Sequence, residues 1–295
     1  VKAHLSTTAA TETIILGTHT VELPARPLVM GVLNVTPDSF SDGGLFLDPD
    51  RAVDQFYRLV DEGADIIDIG GESSRPGAQP VDVGEEWRRV GPILARVAAN
   101  SPIPLSIDTY KAEIARRAAD SGAAVVNDIS ALRFDTEMAR VVAETGVSVI
   151  LMHMQGTPRN MQKNPVYDDV VKEIGEFFGS RAQAALSAGI PSEKIILDPG
   201  IGFGKTLKHN LHILNRLAEF VELGYPVLVG VSRKSFIGKV LGDDAGDRLE
   251  GSLAAAVVAA SAGAKILRAH DVRPTKQALE ICGAISHPER YAEVK

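Results

Sequence analysis

Three acidic or amide side chains and one lysine stand where they suit a flat, polar ring. Asp108, Asn127 and Asp198 each follow a short apolar run, and Lys234 lies just past another. Carboxylates accept hydrogen bonds, an amide donates and accepts, and an ammonium donates. A heterocycle with an amino-pyrimidinone edge needs that mix: its amino and ring N–H groups donate to the carboxylates, and its carbonyl and ring nitrogens accept from lysine and asparagine. Asp108 also reads as the N-cap of a helix beginning near Lys111. Arg268 and His270 lie two apart on another run. Such residues face the same way on a strand, and this pair suits a cluster of phosphate oxygens as a cationic group. Their alternative is an ion pair between Arg268 and a loop carboxylate, beside a packed His270. Asn34 and Asp38 add oxygen ligands of the kind Mg2+ takes together with phosphate, although Asn-x-Thr-Pro is also good turn chemistry.

Other signals are weaker. His153 ends an apolar run, where a packed histidine is as common as a base, and it is left out of the catalytic set. The segment 199–206 ends like a phosphate-binding loop, but its first required glycine is Pro199. The segment 200–205 begins like a dinucleotide fingerprint, but its third glycine is Lys205. The spacing contains no Ser–His–Asp triad, Cys/His cluster or H-E-x-x-H.

The elements that must position these groups repeat. Apolar runs rich in Val and Ile cover 29–35, 66–69, 104–107, 123–126, 147–152, 194–197, 227–231 and 265–267. Short continuous runs bounded by Gly or Pro mark parallel strands buried on both faces. Between them helical spacing covers 52–60, 85–99, 111–121, 136–144, 168–188, 210–222, 250–262 and 275–284. Eight repeats of strand, polar tip and helix predict an α/β fold, a (β/α)8 barrel with a short N-terminal extension. The active site of such a barrel lies at the strand C-termini. No linker divides the chain, so the expected division is an arm or hairpin over 1–27 and one barrel domain over 28–295.

Composition narrows the classes. The chain has 295 residues, 45% of them hydrophobic and 23% charged, as in ordinary globular proteins. The net charge of −7 and an aromatic content of 5%, with no basic stripe, disfavour nucleic-acid binding. No apolar stretch reaches the roughly 18 residues of a membrane helix, and no signal peptide is visible. One cysteine, Cys282, permits no internal disulfide, which favours a reducing compartment, the cytoplasm.

Eight segments together resemble the dihydropteroate synthase family of pterin-binding enzymes. They are GVLNVTPDSFSDGG at 31–44, DIGGESSRPG at 68–77, SIDT at 106–109, NDI at 127–129, LMHMQG at 151–156, DPGIGFGK at 198–205, SRKSFIG at 232–238 and RAHD at 268–271. The likeness runs from about 28 to 271. Ser74 stands where threonine is also common, and the hydroxyl is kept.

The resemblance implies condensation of 6-hydroxymethyl-7,8-dihydropterin diphosphate with 4-aminobenzoate, giving 7,8-dihydropteroate and diphosphate in folate synthesis. It implies that Asp108, Asn127, Asp198 and Lys234 hold the pterin, with Asp108, Asp198 and Lys234 as the catalytic set. Arg268, His270 and Asn34 are expected on the diphosphate, with Asn34 also at Mg2+. Ser74, Arg75, Pro76, Phe203 and Ser235 are expected around the aminobenzoate, with Phe40 closing over it. A homodimer is expected by the same analogy. The chemistry fits SN1-like C–O cleavage, because no protein nucleophile is apparent. The rivals are a pterin-binding methyltransferase-type barrel, which needs no diphosphate site, and a silent paralogue.

Overall fold

A computed structural model describes residues 12–36, 49–242 and 246–290. Asp38 and Phe40, with the rest of the first glycine-rich loop, lie outside the described residues, as does 1–11. Two strands, β1 (Thr13–Leu16) and β2 (His19–Glu22), form an antiparallel hairpin. Eight parallel strands follow: β3 (Leu28–Asn34), β4 (Ile66–Gly70), β5 (Leu105–Asp108), β6 (Val125–Asp128), β7 (Ser148–Met152), β8 (Ile195–Asp198), β9 (Leu228–Gly230) and β10 (Ile266–Ala269). Their order is β8-β7-β6-β5-β4-β3-β10-β9, and a parallel bridge between Leu197 and Val227 brings the two ends together. The molecule is therefore a (β/α)8 barrel, and each expected run lies within two residues of an observed strand.

The helices are α1 (Pro49–Asp61), α2 (Val83–Val97), α3 (Ala112–Asp120), α4 (Met138–Thr145), α5 (Val170–Ser187), α6 (Leu207–Asn215), α7 (Ala218–Val221), α8 (Ser235–Leu241), α9 (Leu249–Ser261) and α10 (Val272–Ser286). They bury one face each against the sheet, as Ala52, Phe56 and Leu59 of α1 do. The single helix expected over 210–222 is two helices. Arg216 lies between them, its guanidinium paired with Asp169 and Glu219. The short helix α8 was not in the periodic pattern, because seven residues complete only about two turns.

The register explains how the barrel interior is built. Met30 pairs with Ile66, and Asp68 with Ser106. Side chains two apart share a face, so the inward positions can be followed strand by strand. Ile66, Val125, Ile196 and Ile266, from the alternate strands β4, β6, β8 and β10, are fully buried in one cluster. Each such side chain contributes about 1.5–3 kcal/mol by leaving water. Two residues further along the same four strands stand Asp68, Asn127, Asp198 and Arg268. Barrels fill their interiors with layers of four side chains from alternate strands. Here one layer is aliphatic and the next is polar. The hairpin seals the opposite end: Ile14 and Leu16 pack into the same aliphatic cluster, and the Ser148 hydroxyl accepts from Gly17 N at 3.0 Å and donates to the Ile15 carbonyl at 2.9 Å.

Candidate active site

The polar layer is wired together by Asp68. Its Oδ2 accepts from Arg268 Nε at 2.7 Å and from Asn127 Nδ2 at 2.9 Å. Arg268 Nη2 reaches Asp108 Oδ2 at 3.0 Å. Asp68 is fully buried and was missed in the sequence, because it stands mid-strand and not at a polar tip. Its signal was an acid at an inward position two residues after Ile66. Its Oδ1 and the Asn127 Oδ1 are buried acceptors with no partner among the described residues. A buried acceptor left unpaired costs about 1–3 kcal/mol, so this floor suits a ligand that brings its own donors.

Charge is strained here. Burial and the charge of Asp68 raise Asp108 to about 7, against the opposing pull of Arg268. Burial also raises Asp198, offset by the Gly200 N–H and by Lys234. Burial lowers Lys234 to about 8, although Asp198 works in the other direction. Burial opposes the charge of Arg268, but Asp68 and Asp108 more than compensate.

The loops beyond the strands set the remaining groups. Asp198 Oδ1 accepts from Gly200 N at 2.7 Å, which turns the chain at φ +65°. A Cβ at Gly200 would lie 2.1 Å from the His153 carbonyl oxygen, so only glycine fits. Gly200→Ala is therefore expected to destabilise the fold and displace this loop, as thermal unfolding and a crystal structure of the variant would show; an unchanged Tm would contradict the close packing. Arg233 holds a left-handed φ of +56° at the turn before α8 and pairs with Asp271. That turn sends Lys234 inward, where Nζ donates to the Ile201 carbonyl at 2.7 Å and lies 4.2 Å over the Phe203 ring.

One cleft at the strand C-termini is lined by Ser74, Asp108, Asn127, Asp198, Phe203, Lys234, Arg268 and His270. Eight of the thirteen expected residues thus come together. Asn34 ends β3 beside them: the space a Gly70 Cβ would fill is bordered by Asp108 Oδ2 at 3.6 Å and Asn34 Oδ1 at 3.8 Å. Arg75, Pro76 and Ser235 are exposed and do not line the cleft. Phe40 is outside the described residues.

Two expectations change. Asp108 does not cap α3: Lys111 holds the cap position, and Ala112 N donates to Asp135 instead. His270 is not part of a cationic pair. Burial, then the charges of Arg268, Arg233 and Lys234, lower it to about 4, so it is neutral near pH 7. The Ser232 hydroxyl accepts from His270 N at 3.1 Å and lies 3.1 Å from the ring Nδ1, which holds the imidazole at the end of β10. Arg268 and His270 do share a face of the β10 end, but the guanidinium is engaged by two strand carboxylates, not by a loop carboxylate. Two other tips serve the scaffold. Asp128 accepts from Ser130 and Leu132, and Glu72 accepts from the Tyr110 hydroxyl at 2.6 Å and from Lys111.

Among the described residues no cluster of three or more His, Cys, Asp or Glu side chains is placed to hold a metal. Mg2+ commonly keeps several waters and takes one or two protein ligands with substrate phosphates. The Asn34 amide oxygen at the mouth fits that mode. No helix among the described residues is long and apolar enough to cross a membrane.

Comparison with known proteins agrees with this geometry. The family described as pterin binding enzyme matches residues 30–270. Dihydropteroate synthase of Escherichia coli strain K12 is 48% identical over 260 residues, covering 88% of this chain and 92% of that protein. A Yersinia pestis dihydropteroate synthase solved with a sulfonamide drug superposes with a TM-score of 0.88 at 45% identity, covering 93% of this chain and 99% of that one. The Xanthomonas albilineans dihydropteroate synthase with 4-aminobenzoic acid gives 0.86 at 45% identity, over 94% of this chain and 98% of that one. The barrel, the polar layer at its mouth and these likenesses place the chain among the pterin-binding enzymes, in the dihydropteroate synthase family.

Proposed function

We propose that this chain condenses 6-hydroxymethyl-7,8-dihydropterin diphosphate with 4-aminobenzoate, giving 7,8-dihydropteroate and diphosphate in folate biosynthesis. The observation that carries the reading is the polar layer: two carboxylates, an amide and a guanidinium on four alternate strands, with a lysine above them. A related Xanthomonas albilineans dihydropteroate synthase has been solved in complex with 7,8-dihydropteroate.

The pterin lies against Asp108, Asn127, Asp198 and Lys234. Its amino and ring N–H groups donate to Asp198, and Lys234 donates to its carbonyl and ring nitrogen. The C–O bond to diphosphate breaks with its electron pair going to the leaving oxygen. The positive charge left on the pterin methylene is stabilised by Asp108 and Asp198 in a site shielded from water. His270 and Arg268 face the departing diphosphate, Arg268 exchanging part of its hold on Asp108 for phosphate oxygens. The arylamine lone pair then forms the C–N bond, and its proton leaves to solvent. Ser74 and Phe203 frame the arylamine, with Arg75, Pro76 and Ser235 at its outer edge. Asn34 would hold Mg2+, which when bound neutralises diphosphate oxygens.

The test is turnover. With both substrates and Mg2+, diphosphate and 7,8-dihydropteroate should appear in equal amounts, and omission of the arylamine should stop formation of the product. Methyl transfer from a reduced folate, with no use of the diphosphate substrate, would favour the methyltransferase-type barrel. Turnover of neither would favour a silent paralogue.

The ionisation states predict a pH profile. Asp108 acts as a carboxylate and Lys234 as an ammonium. For the free enzyme, kcat/KM should rise as Asp108 loses its proton near 7 and fall as Lys234 loses its own near 8. Asp108→Asn should remove the acid limb at a lower overall rate. A flat profile between about pH 6 and 9 would exclude both groups from the rate.

The protein acts as a homodimer in the cytoplasm. Support for the dimer comes from α9 and α10, where Val258, Ile281 and Ile285 are exposed. Exposed apolar patches of this kind mark protein contacts. Light scattering of an Ile281→Glu, Ile285→Glu variant should give a monomer.

A further inference from the structure

A buried lysine that the reaction does not use lies directly behind the site. Lys205 is 3% exposed. Its Nζ lies 3.0 Å from His153 Nδ1 and donates to the His153 carbonyl at 3.3 Å and to the Phe203 carbonyl at 2.8 Å. Three acceptors match the three donors of its ammonium form, which burial disfavours, lowering Lys205 to about 7, and which the charge of Asp198 supports. Burial, then the charge of Lys205, hold His153 down to about 2, so its ring is neutral and Nδ1 accepts. The ring is itself fixed edge-on to Phe177, with centroids 4.8 Å apart.

The segment that Lys205 grips is the one that holds Lys234. Ile201 offers its carbonyl to Lys234 Nζ, and Phe203 offers its ring face. The segment is fastened elsewhere from outside the cleft. Gly202 N donates to Asn210 Oδ1 at 2.7 Å, Gln162 Nε2 donates to the Gly202 carbonyl at 2.6 Å, and the Tyr167 hydroxyl donates to the Gly204 carbonyl at 2.9 Å. Gly200 N ties the segment to Asp198 at the end of its own strand, β8, and Lys205 ties it to the end of the neighbouring strand, β7. We propose that Lys205 is a positioning residue: by joining the His153 end of β7 to the Phe203 carbonyl, it sets the Ile201 carbonyl and Phe203 ring that fix the Lys234 ammonium over the cleft.

This inference rests on the reading of Lys234 as a pterin ligand, and the experiment separates the two. Lys205→Met keeps most of the volume and removes the three hydrogen bonds. Its unliganded crystal structure should show the Phe203 ring displaced and the bond from Lys234 to the Ile201 carbonyl lost; unchanged Lys234 contacts would overturn the proposal whatever the protein binds. In calorimetry, Lys205→Met should weaken dihydropterin diphosphate binding about tenfold in the wild-type background and less than twofold in a Lys234→Met background. Equal losses in both backgrounds would mean a general structural role and would also overturn it. His153→Phe, which keeps the ring contact with Phe177 but removes Nδ1, should give the same non-additivity at about threefold, and it decides the matter if Lys205→Met does not fold. Failure of the wild-type protein to bind dihydropterin diphosphate would count against the function, while the crystal structures would still decide the role of Lys205.

Discussion

Arg268→Met is expected to destabilise the protein by about 3–5 kcal/mol near pH 8, the range found when one partner of a buried ion pair is removed. Arg268 is shared by Asp68 and Asp108, at 2.7 and 3.0 Å, and methionine leaves both carboxylates in the interior without it. The sign with pH follows from Asp108. Its pKa is already raised by burial and by Asp68, and loss of Arg268 raises it further. A carboxyl whose folded pKa lies above its unfolded value, about 3.9, opposes folding as pH climbs between the two values. The deficit should therefore be small near pH 4 and largest above pH 7. Urea unfolding of wild type and variant at pH 4.5 and pH 8 measures it. Adding Asp68→Asn to the variant should recover part of the loss, since one of the two acids is then neutral. Equal stability of wild type and Arg268→Met at pH 8 would show that the pairing carries no weight in the fold.

Asp198→Asn is expected to have the largest effect on the chemistry. Asparagine keeps an oxygen for the Gly200 amide, which Asp198 Oδ1 holds at 2.7 Å, so the loop should stay in place. What changes is the other atom, where an NH2 replaces a charged oxygen. It meets the pterin donors as a donor, and it cannot stabilise a cation. Two hydrogen bonds to a charged group contribute about 3 kcal/mol together at the low end, which corresponds to roughly 100-fold in pterin affinity. Turnover at saturation should fall by a further factor of about 100–1000, the scale seen when a preorganised group facing developing charge is removed. Calorimetry with the pterin and single-turnover kinetics separate the two losses. Near-normal turnover with only weakened binding would mean that Asp198 orients the ring and does not support its charge.

The eight strands and most of the cleft are legible along the chain. Parallel strands covered on both faces must be continuously apolar, and a polar residue at the end of each, such as Asn127 or Asp198, stands out against that background. The alternation of two along β10 likewise places Arg268 and His270 on one face before any coordinates are known. Family-specific segments such as DPGIGFGK at 198–205 carry the chemistry further than composition or periodicity can.

Tertiary structure alone decides which of these side chains meet. The layer of Asp68, Asn127, Asp198 and Arg268 draws one residue from each of four alternate strands, and its members are as much as 200 residues apart in sequence. Nothing local to Asp68 announces that it will hold both an arginine and an asparagine, because its partners arrive through barrel closure. For the same reason the charge of His270 could not be read from its type. Its neutrality follows from burial among three cations, two of them, Arg233 and Lys234, from another strand's loop. Lys205, which spoils a nucleotide fingerprint when read as sequence, becomes a buried fastening only once the end of β7 lies against the loop after β8. The sequence by itself determines the barrel, through hydrophobic periodicity that each segment carries alone. Barrel closure decides the ionisation states and the pairing of the site, because both depend on distances between segments and on the water that closure excludes.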